Sequence, residues 1–228
     1  MSKKRTQEKS KKLSAPVQTT SGKSFHLEFL NPAQKLAWAT FDKHDVLFLL
    51  GPAGSGKTHL ASAFAISEII SKKKKKIIMT RPVVEAGEKL GFLPGSFQEK
   101  LDPYMYPLYD CIDRCLGGSI TQKEFIMKHA ETAPLAFMRG RTFSDSICIL
   151  DEAQNCTRMQ LKLFLTRFGQ NSKIIITGDP QQSDLPGECA LVDVVKRLEG
   201  VPGIGVIGFQ NNSIVRHPLI ASILEKLE

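Results

Sequence analysis

The segment that most constrains the fold is Gly51–Thr58, which reads Gly-Pro-Ala-Gly-Ser-Gly-Lys-Thr. A continuous apolar run of strand length, Val46–Leu50, comes directly before it. After it, apolar residues recur with helical spacing as far as Ile69. The pattern predicts a strand, a glycine-rich loop and a helix in immediate succession. Such a unit belongs to a parallel sheet, because the helix carries the chain back for the next parallel strand.

The glycine-rich loop predicts a site for a nucleotide polyphosphate. Glycines let successive backbone N–H groups curl around phosphate, and the N-terminus of the following helix adds a favourable dipole. In this pattern we expect Lys57 to reach the β- and γ-phosphates and the Thr58 hydroxyl to ligate Mg²⁺. A glycine-rich turn without a ligand is the alternative. The expected ATP-binding residues are Gly51, Pro52, Ala53, Gly54, Ser55, Gly56, Lys57 and Thr58.

Two acids follow a second buried strand. Ile147–Leu150 is apolar throughout and ends in Asp151 and Glu152. Ligands of parallel sheets bind where the strands end, so both carboxylates are expected at the site. Asp151 is expected to hold the Mg²⁺, directly or through water, and Glu152 to polarise the attacking water. Taken alone, such a pair is more often a turn or a helix cap.

A neighbouring predicted strand, Lys173–Thr177, also ends in polar residues. Gln182 or Thr177 could sense the γ-phosphate or orient the water. The alternative is that Gly178-Asp179-Pro180 is a turn that reverses the chain.

Two further candidates lie far apart in the sequence. Gln34 could read the adenine edge with its amide, although Asn31-x-x-Gln34 is also a capping box at the start of a helix. Arg216, just before the last predicted helix, is a candidate arginine finger. Three other arginines could meet phosphates or form salt bridges: Arg81, Arg139 and Arg141.

The remaining periodic segments complete an α/β pattern. Strands that alternate with helices predict a mostly parallel sheet, covered by helices on both faces in three layers. The other predicted strands are Ile77–Thr80, Leu135–Met138 and Ile204–Phe209, and the other predicted helices are Phe97–Tyr104, Gln122–Met127, Met159–Phe168, Glu188–Leu198 and one opening at Pro218.

The basic charge is concentrated in two places. The 228 residues carry a net charge of +8, but residues 1–24 alone hold seven basic side chains against one acidic one. The run Lys72–Lys76 holds five more. The sequence therefore predicts a disordered basic tail over residues 1–24 and a folded domain over residues 25–228.

Composition also bounds the location of the chain. Its apolar runs are far shorter than the roughly 18–20 residues of a membrane span, and no apolar segment follows the basic start, so neither a membrane segment nor a signal peptide is expected. The five cysteines are odd in number, and Cys148 lies in an apolar strand pattern. That usage is typical of a reducing compartment and predicts a cytoplasmic protein.

Taken in order, the motifs resemble those of PhoH-like ATPases over about residues 28–228. The segments that carry the resemblance are Leu30-Asn-Pro-Ala-Gln34, Gly51–Thr58, Thr-Arg81-Pro-Val, Gly87-Glu-Lys-Leu-Gly-Phe-Leu-Pro-Gly95, Met-Arg139-Gly-Arg141-Thr-Phe, Leu-Asp151-Glu-Ala-Gln-Asn155, Thr-Gly-Asp-Pro-x-Gln182 and Val-Arg216-His-Pro.

The resemblance implies a RecA-like P-loop domain related to superfamily 1 helicase cores, with residues 85–140 as a family-specific insertion. It assigns Lys57 and Thr58 to phosphate and Mg²⁺, Asp151 and Glu152 to metal and hydrolysis, Gln182 to sensing and Gln34 to adenine, and it favours Arg216 as the finger. Longer relatives carry an RNA-binding or nuclease domain before the ATPase, where this chain has the basic tail. The compact form with a lysine-rich start is similar to versions encoded by bacteriophages.

The expected function is ATP hydrolysis coupled to RNA or single-stranded DNA. An arginine finger contributes about 10³- to 10⁵-fold in rate, and superfamily 1 helicases take theirs from a second ATPase domain. This chain has room for one such domain. We therefore expect it to form a ring, with a hexamer as the expected number of subunits, in which Arg216 of one subunit completes the site of its neighbour. A nucleoside or small-molecule kinase and a nucleotide-dependent binding switch with little turnover are the alternatives.

Overall fold

The computed structural model describes residues 13–17, 25–82, 106–115 and 120–210. Its central feature is a six-stranded sheet in the order β5-β4-β6-β7-β3-β8, with parallel pairing throughout. The strands are β1 (Leu13–Val17), β2 (Phe25–Phe29), β3 (Val46–Leu50), β4 (Lys76–Thr80), β5 (Ala130–Thr132), β6 (Ser146–Leu150), β7 (Lys173–Gly178) and β8 (Ile204–Gly208). The helices are α1 (Pro32–Lys43), α2 (Lys57–Ile70), α3 (Tyr106–Cys115), α4 (Ile120–Lys128), α5 (Arg158–Leu165) and α6 (Ala190–Leu198), with 3₁₀ turns at Leu135–Met138 and Ala153–Asn155.

The sheet separates two apolar cores. Along β3, Leu47 and Leu49 pack into one core and Phe48 into the other, because successive side chains of a strand point to opposite faces. The first core contains residues of α1 and α2, and the second contains residues of α5 and α6. Helices therefore cover both faces, and the predicted three-layer α/β fold is confirmed.

Among the described helices, α2 is the most deeply buried. Every residue from Leu60 to Ile69 is buried, because the helix lies between the sheet and α3. Among its polar residues, the Ser67 hydroxyl donates to the Phe64 carbonyl at 2.7 Å, whereas the buried Ser62 hydroxyl has no hydrogen-bond partner among the described residues. A helix that is apolar around most of its circumference is held by packing on all sides. The N-terminus of α2 is therefore fixed relative to the strand ends.

The strand prediction for Leu135–Met138 is wrong, since this segment is a 3₁₀ turn. Pro134 precedes it, and the amide of Phe137 donates to the Pro134 carbonyl at 2.9 Å. Leu135 and Met138 are both buried in the second core. Three residues make one turn of a 3₁₀ helix, so this geometry places both side chains on the same side, which a strand would not.

The predicted tail also needs correction. Leu13–Val17 pairs antiparallel with β2, with Leu13 opposite Phe29 and Val17 opposite Phe25, so an ordered strand stands where residues 1–24 were expected to be disordered. The lysine-rich composition ends at Lys12, and residues 13–17 carry no charge. Averaging over 24 residues concealed this short segment.

Several predictions fall outside the described residues, namely the helix at Phe97–Tyr104, the helix opening at Pro218, Arg216 and much of residues 85–140. Within the described ranges, no helix has the length and apolar character needed to cross a bilayer.

Candidate active site

Strands β3, β6 and β7 end side by side and form one wall of a cleft. Because β7 lies between β3 and β6 in a parallel sheet, the loops that follow these strands meet at the same edge. The cleft has a volume of about 270 Å³. Its lining residues come from the glycine-rich loop, from the first turn of α2 and from the segments that end or follow β6 and β7: Ala53, Gly54, Gly56, Lys57, Thr58, His59, Asp151, Glu152, Thr177, Gly178, Asp179 and Gln182.

The glycine-rich loop depends on residues without a Cβ. Gly51 has φ 147° and Gly56 has φ 86°, values that L side chains rarely adopt. A Cβ on Gly51 would lie 2.6 Å from the Phe209 carbonyl oxygen. Lys57 Nζ donates to the carbonyls of Gly51 at 2.6 Å and Pro52 at 2.9 Å, so the lysine already lies across the loop.

Asp151 joins three elements through one oxygen. Thr58 Oγ1, in the first turn of α2, donates to Asp151 Oδ1 at 2.8 Å, and the hydroxyl of Thr177 on β7 donates to the same oxygen. Asp151 is 3% exposed. A buried carboxylate beside a hydroxyl is the hard oxygen donor set that Mg²⁺ prefers. The two residues predicted to hold the metal are thus in direct contact.

Glu152 follows with a left-handed backbone, φ 53° and ψ 42°. Its Oε1 lies 3.2 Å from Arg81 Nη2, and its Oε2 accepts from Gln154 Nε2 at 2.7 Å. Of the two roles considered for Arg81, the structure shows the salt bridge. Arg141 likewise forms an ion pair, with Glu131 at 2.6 Å.

The end of β7 contributes Asp179, which sequence reasoning did not single out. Its Oδ2 accepts from the backbone N–H of Ala53 in the glycine-rich loop at 3.0 Å, and its own N–H donates to Gln154 Oε1 at 3.0 Å. Asp179 and Gln154 are 4% and 2% exposed. Asp179 directly follows the buried strand β7, which was a usable signal, but its bond to Ala53 joins residues 126 apart in the sequence and its bond to Gln154 joins residues 25 apart. Gln182 lines the same cleft.

Gln34 is buried beside the glycine-rich loop. Its Oε1 accepts from the Leu30 amide at 2.8 Å, and its Nε2 lies 3.4 Å from the Ser55 carbonyl oxygen. Its backbone amide donates to Asn31 Oδ1 at 3.0 Å, as expected for a helix cap. The contact with adenine stays a prediction, as does the role of Arg216.

Two buried thiols, those of Cys148 and Cys156, have raised pKa values. Burial raises the pKa of Cys148 and of Cys156 to about 12 each. Cys156 closes the short turn that follows Glu152. Both thiols therefore stay protonated at neutral pH and act as small apolar side chains rather than nucleophiles.

The fold and the cleft together define a P-loop NTPase. Within that class, the chain belongs to the PhoH-like protein family, whose model matches residues 26–228. It is 46% identical over 211 residues to a PhoH-like protein of Bacillus subtilis (strain 168). The matched region covers 92% of this chain and 66% of that protein. It is 44% identical over 194 residues to protein PhoH of Escherichia coli (strain K12), and this matched region covers 83% of this chain and 54% of that protein.

The chain therefore spans between about half and two thirds of the length of these relatives. Among solved structures, it is similar to the large terminase from a thermophilic bacteriophage, with a TM-score of 0.58 and 10% identity. That match covers 86% of this chain and 50% of the terminase chain. At this identity the likeness concerns the fold alone, which it supports independently of sequence.

Proposed function

We propose that this chain binds ATP with Mg²⁺ and hydrolyses it to ADP and phosphate. One observation carries the proposal: Thr58 and Asp151, 93 residues apart in the chain, meet at 2.8 Å beside the glycine-rich loop. A hydroxyl from the start of the helix and a buried carboxylate from a strand end form the two halves of a Mg²⁺–nucleotide site.

The residues of the cleft have different roles in ATP binding and hydrolysis. Backbone N–H groups of the loop hold the phosphates, and Lys57 leaves the carbonyls of Gly51 and Pro52 to neutralise them. Thr58 and Asp151 hold the Mg²⁺, which when bound offsets the negative charge on the phosphates. Glu152 polarises the attacking water, and Gln182 contacts the γ-phosphate from the neighbouring strand end.

The test separates binding from turnover. Calorimetry measures ATP association with Mg²⁺ and with EDTA, and phosphate release is followed for the wild type, Lys57→Ala and Glu152→Gln. We expect Lys57→Ala to lose most of its affinity. Glu152→Gln should keep its affinity and lose about 10²- to 10⁴-fold in turnover, the usual contribution of a general base. Tightly bound ATP that survives for hours with nucleic acid present would favour the binding switch, and ATP loss that requires a nucleoside acceptor would favour the kinase.

We further propose that turnover is coupled to RNA or single-stranded DNA through the basic N-terminal residues. The lysine run is a weaker candidate for this contact, because three of its members are engaged within the chain. Lys73 lies 3.6 Å from Glu68, Lys74 donates to Asn171 at 2.7 Å, and Lys75 donates to Asp145 at 2.7 Å. Six basic side chains, in contrast, precede β1 within residues 1–12.

The last part of the proposal is a ring. The described residues contribute one nucleotide cleft, and rapid phosphoryl transfer needs a further positive charge at the γ-phosphate. Arg216 of an adjacent subunit supplies it in a closed ring, which a heterologous interface forms when its rotation closes.

A further inference from the structure

Both oxygens of the Glu152 carboxylate have donors within the chain, and the two donors differ in kind. Arg81, on Oε1, has a side chain that is 40% exposed and a contact of 3.2 Å. Gln154, on Oε2, is 2% exposed with a contact of 2.7 Å. An exposed ion pair is weakened by solvent and by side-chain entropy. The Gln154 amide, in contrast, is already held in place by burial, and its hydrogen bond is to a charged group, which makes it stronger than a neutral one. The buried amide is therefore the donor that fixes the direction of Glu152.

Gln154 is itself anchored at its other end. Its Oε1 accepts from the backbone N–H of Asp179 at 3.0 Å. The Asp179 carboxylate in turn accepts from the Ala53 amide at 3.0 Å. A continuous hydrogen-bond chain thus runs from Glu152 through Gln154 and Asp179 to the glycine-rich loop.

Local structure prepares this arrangement. Glu152 has a left-handed backbone, and its carbonyl accepts from the Asn155 amide at 3.0 Å, which brings residue 154 back beside the Glu152 side chain. Space for the amide exists because residue 178 is glycine, since a Cβ there would lie 3.1 Å from Gln154 Oε1 and 2.6 Å from Leu191 Cδ2. The geometry is specific to an amide, because one end must donate and the other must accept.

We propose that Gln154 is the positioning residue of Glu152, and that it ties this carboxylate to Asp179 and hence to the glycine-rich loop. The inference rests on the proposed hydrolysis, in which Glu152 polarises the water. Gln154 touches neither water nor phosphate in this role. It holds Oε2 so that Glu152 meets the cleft with a fixed orientation, and an orientation error of about 1 Å can cost about 10²-fold in rate.

Two substitutions remove the donor in different ways. Gln154→Glu keeps the length and the acceptor for the Asp179 amide, but places a second carboxylate against Glu152. Gln154→Met keeps the approximate volume and removes both polar ends. We expect kcat to fall about 10- to 100-fold in both. KM, and the affinity for a non-hydrolysable ATP analogue, should stay within about threefold, because the loop still binds phosphate.

The matched control is Gln170→Glu, the same chemical change at an exposed position before the start of β7, at the opposite edge of the sheet. It should leave kcat, KM and analogue affinity unchanged. Asp179→Ala should have the opposite effect on the two quantities. It removes the acceptor of the Ala53 amide, so we expect it to weaken analogue binding more than it lowers kcat. Wild-type kcat in both Gln154 variants would overturn the proposal. So would an equal loss of kcat and analogue affinity, which indicates a packing role.

A readout independent of turnover separates this inference from the proposed function. In protein labelled with ¹⁵N-glutamine, the side-chain NH₂ signals of Gln154 are assigned by their loss in Gln154→Glu. Glu152→Ala removes their acceptor, so these signals should shift and exchange faster with solvent. Unchanged signals would overturn the positioning role even if ATP is hydrolysed. Shifted signals in a protein that never releases phosphate would support the hydrogen-bond chain and refute the proposed hydrolysis.

Discussion

Alanine substitutions at two glycines can distinguish the cost of backbone strain from the cost of a steric clash with a neighbouring atom. Gly51 and Gly140 both have positive φ, 147° and 80°, so alanine is strained at either position. A Cβ at 51 would lie 2.6 Å from the Phe209 carbonyl oxygen, whereas one at 140 would meet nothing within 4 Å. We expect Gly140→Ala to cost about 1 kcal/mol. Gly51→Ala should cost about 2 kcal/mol more and abolish ATP binding, because the loop has to shift. Urea unfolding and calorimetry measure the two effects, and equal costs at both sites would contradict the steric explanation.

Thr177 tests what one buried hydroxyl contributes. It is fully buried and donates to Asp151 Oδ1, which Thr58 also approaches. Thr177→Val preserves the shape and leaves a buried carboxylate with one donor fewer, so we expect a loss of about 1.5–3 kcal/mol in the free energy of unfolding. It should also raise the Mg²⁺ concentration needed for half-maximal ATP binding.

Thr166→Val makes the same change at an exposed position at the end of α5 and should stay within about 0.5 kcal/mol of the wild type. A Thr177→Val protein as stable as this control would show that the hydrogen bond to Asp151 adds nothing to folding.

At the scale of elements, Asp145 joins the starts of β4, β6 and β7. Its carboxylate accepts from Lys75 Nζ at 2.7 Å and from Asn171 Nδ2 at 2.8 Å. Both hydrogen bonds lower the pKa of Asp145 below its ordinary value of 3.8, and the bond from Lys75 has the larger effect. Because the folded-state pKa is the lower one, the unfolded chain binds the proton more readily. The resulting stability is fully present above pH 3.8 and is lost as the pH falls through the folded-state pKa.

Asp145→Asn is the suitable comparison, because asparagine tolerates the left-handed backbone at this position, φ 51°. We expect the difference in unfolding free energy between wild type and variant to be constant near neutral pH and to shrink in acid. Urea unfolding at a series of pH values measures it. A difference that grows as the pH falls would reverse the sign and refute the charge contribution.

The elements that sequence predicted are those whose surroundings are uniform. Val46–Leu50 and Ile147–Leu150 are covered on both faces, so they are apolar throughout and can be recognised without knowledge of the fold. Ala130–Thr132 is a three-residue edge strand, half-buried and mixed in polarity, and it has no such pattern. The same distinction applies to the site. Asp151 and Glu152 follow from their motif, whereas the bond between Asp179 and Ala53 joins residues 126 apart and depends on tertiary packing.

At the scale of the whole molecule, the basic N-terminus can be tested without disturbing the fold that is described. Deletion of residues 1–12 removes six basic side chains and ends before the strand Leu13–Val17. We expect weaker RNA or single-stranded DNA binding and a shallower dependence of affinity on salt, because fewer counterions are released. Basal ATP hydrolysis should persist.

The measurement is fluorescence anisotropy across a salt series. The matched control for charge is the full chain with the five lysines of this segment and Arg5 replaced by glutamine. Unchanged affinity and salt slope in both proteins would show that these residues do not contact nucleic acid.

The shared catalytic site is the prediction that concerns assembly. Arg216→Ala keeps an intact glycine-rich loop, and Lys57→Ala keeps an intact arginine, so each variant alone should be inactive. In a ring, a loop from the first variant can face an arginine from the second. Random mixing at equal amounts should restore about a quarter of the wild-type rate per subunit, since half the loops are intact and half of those have the right neighbour. The rate should peak at equal proportions, and light scattering has to show that the mixed rings assemble. If Arg216 instead serves its own chain, no mixture of assembled subunits will recover activity.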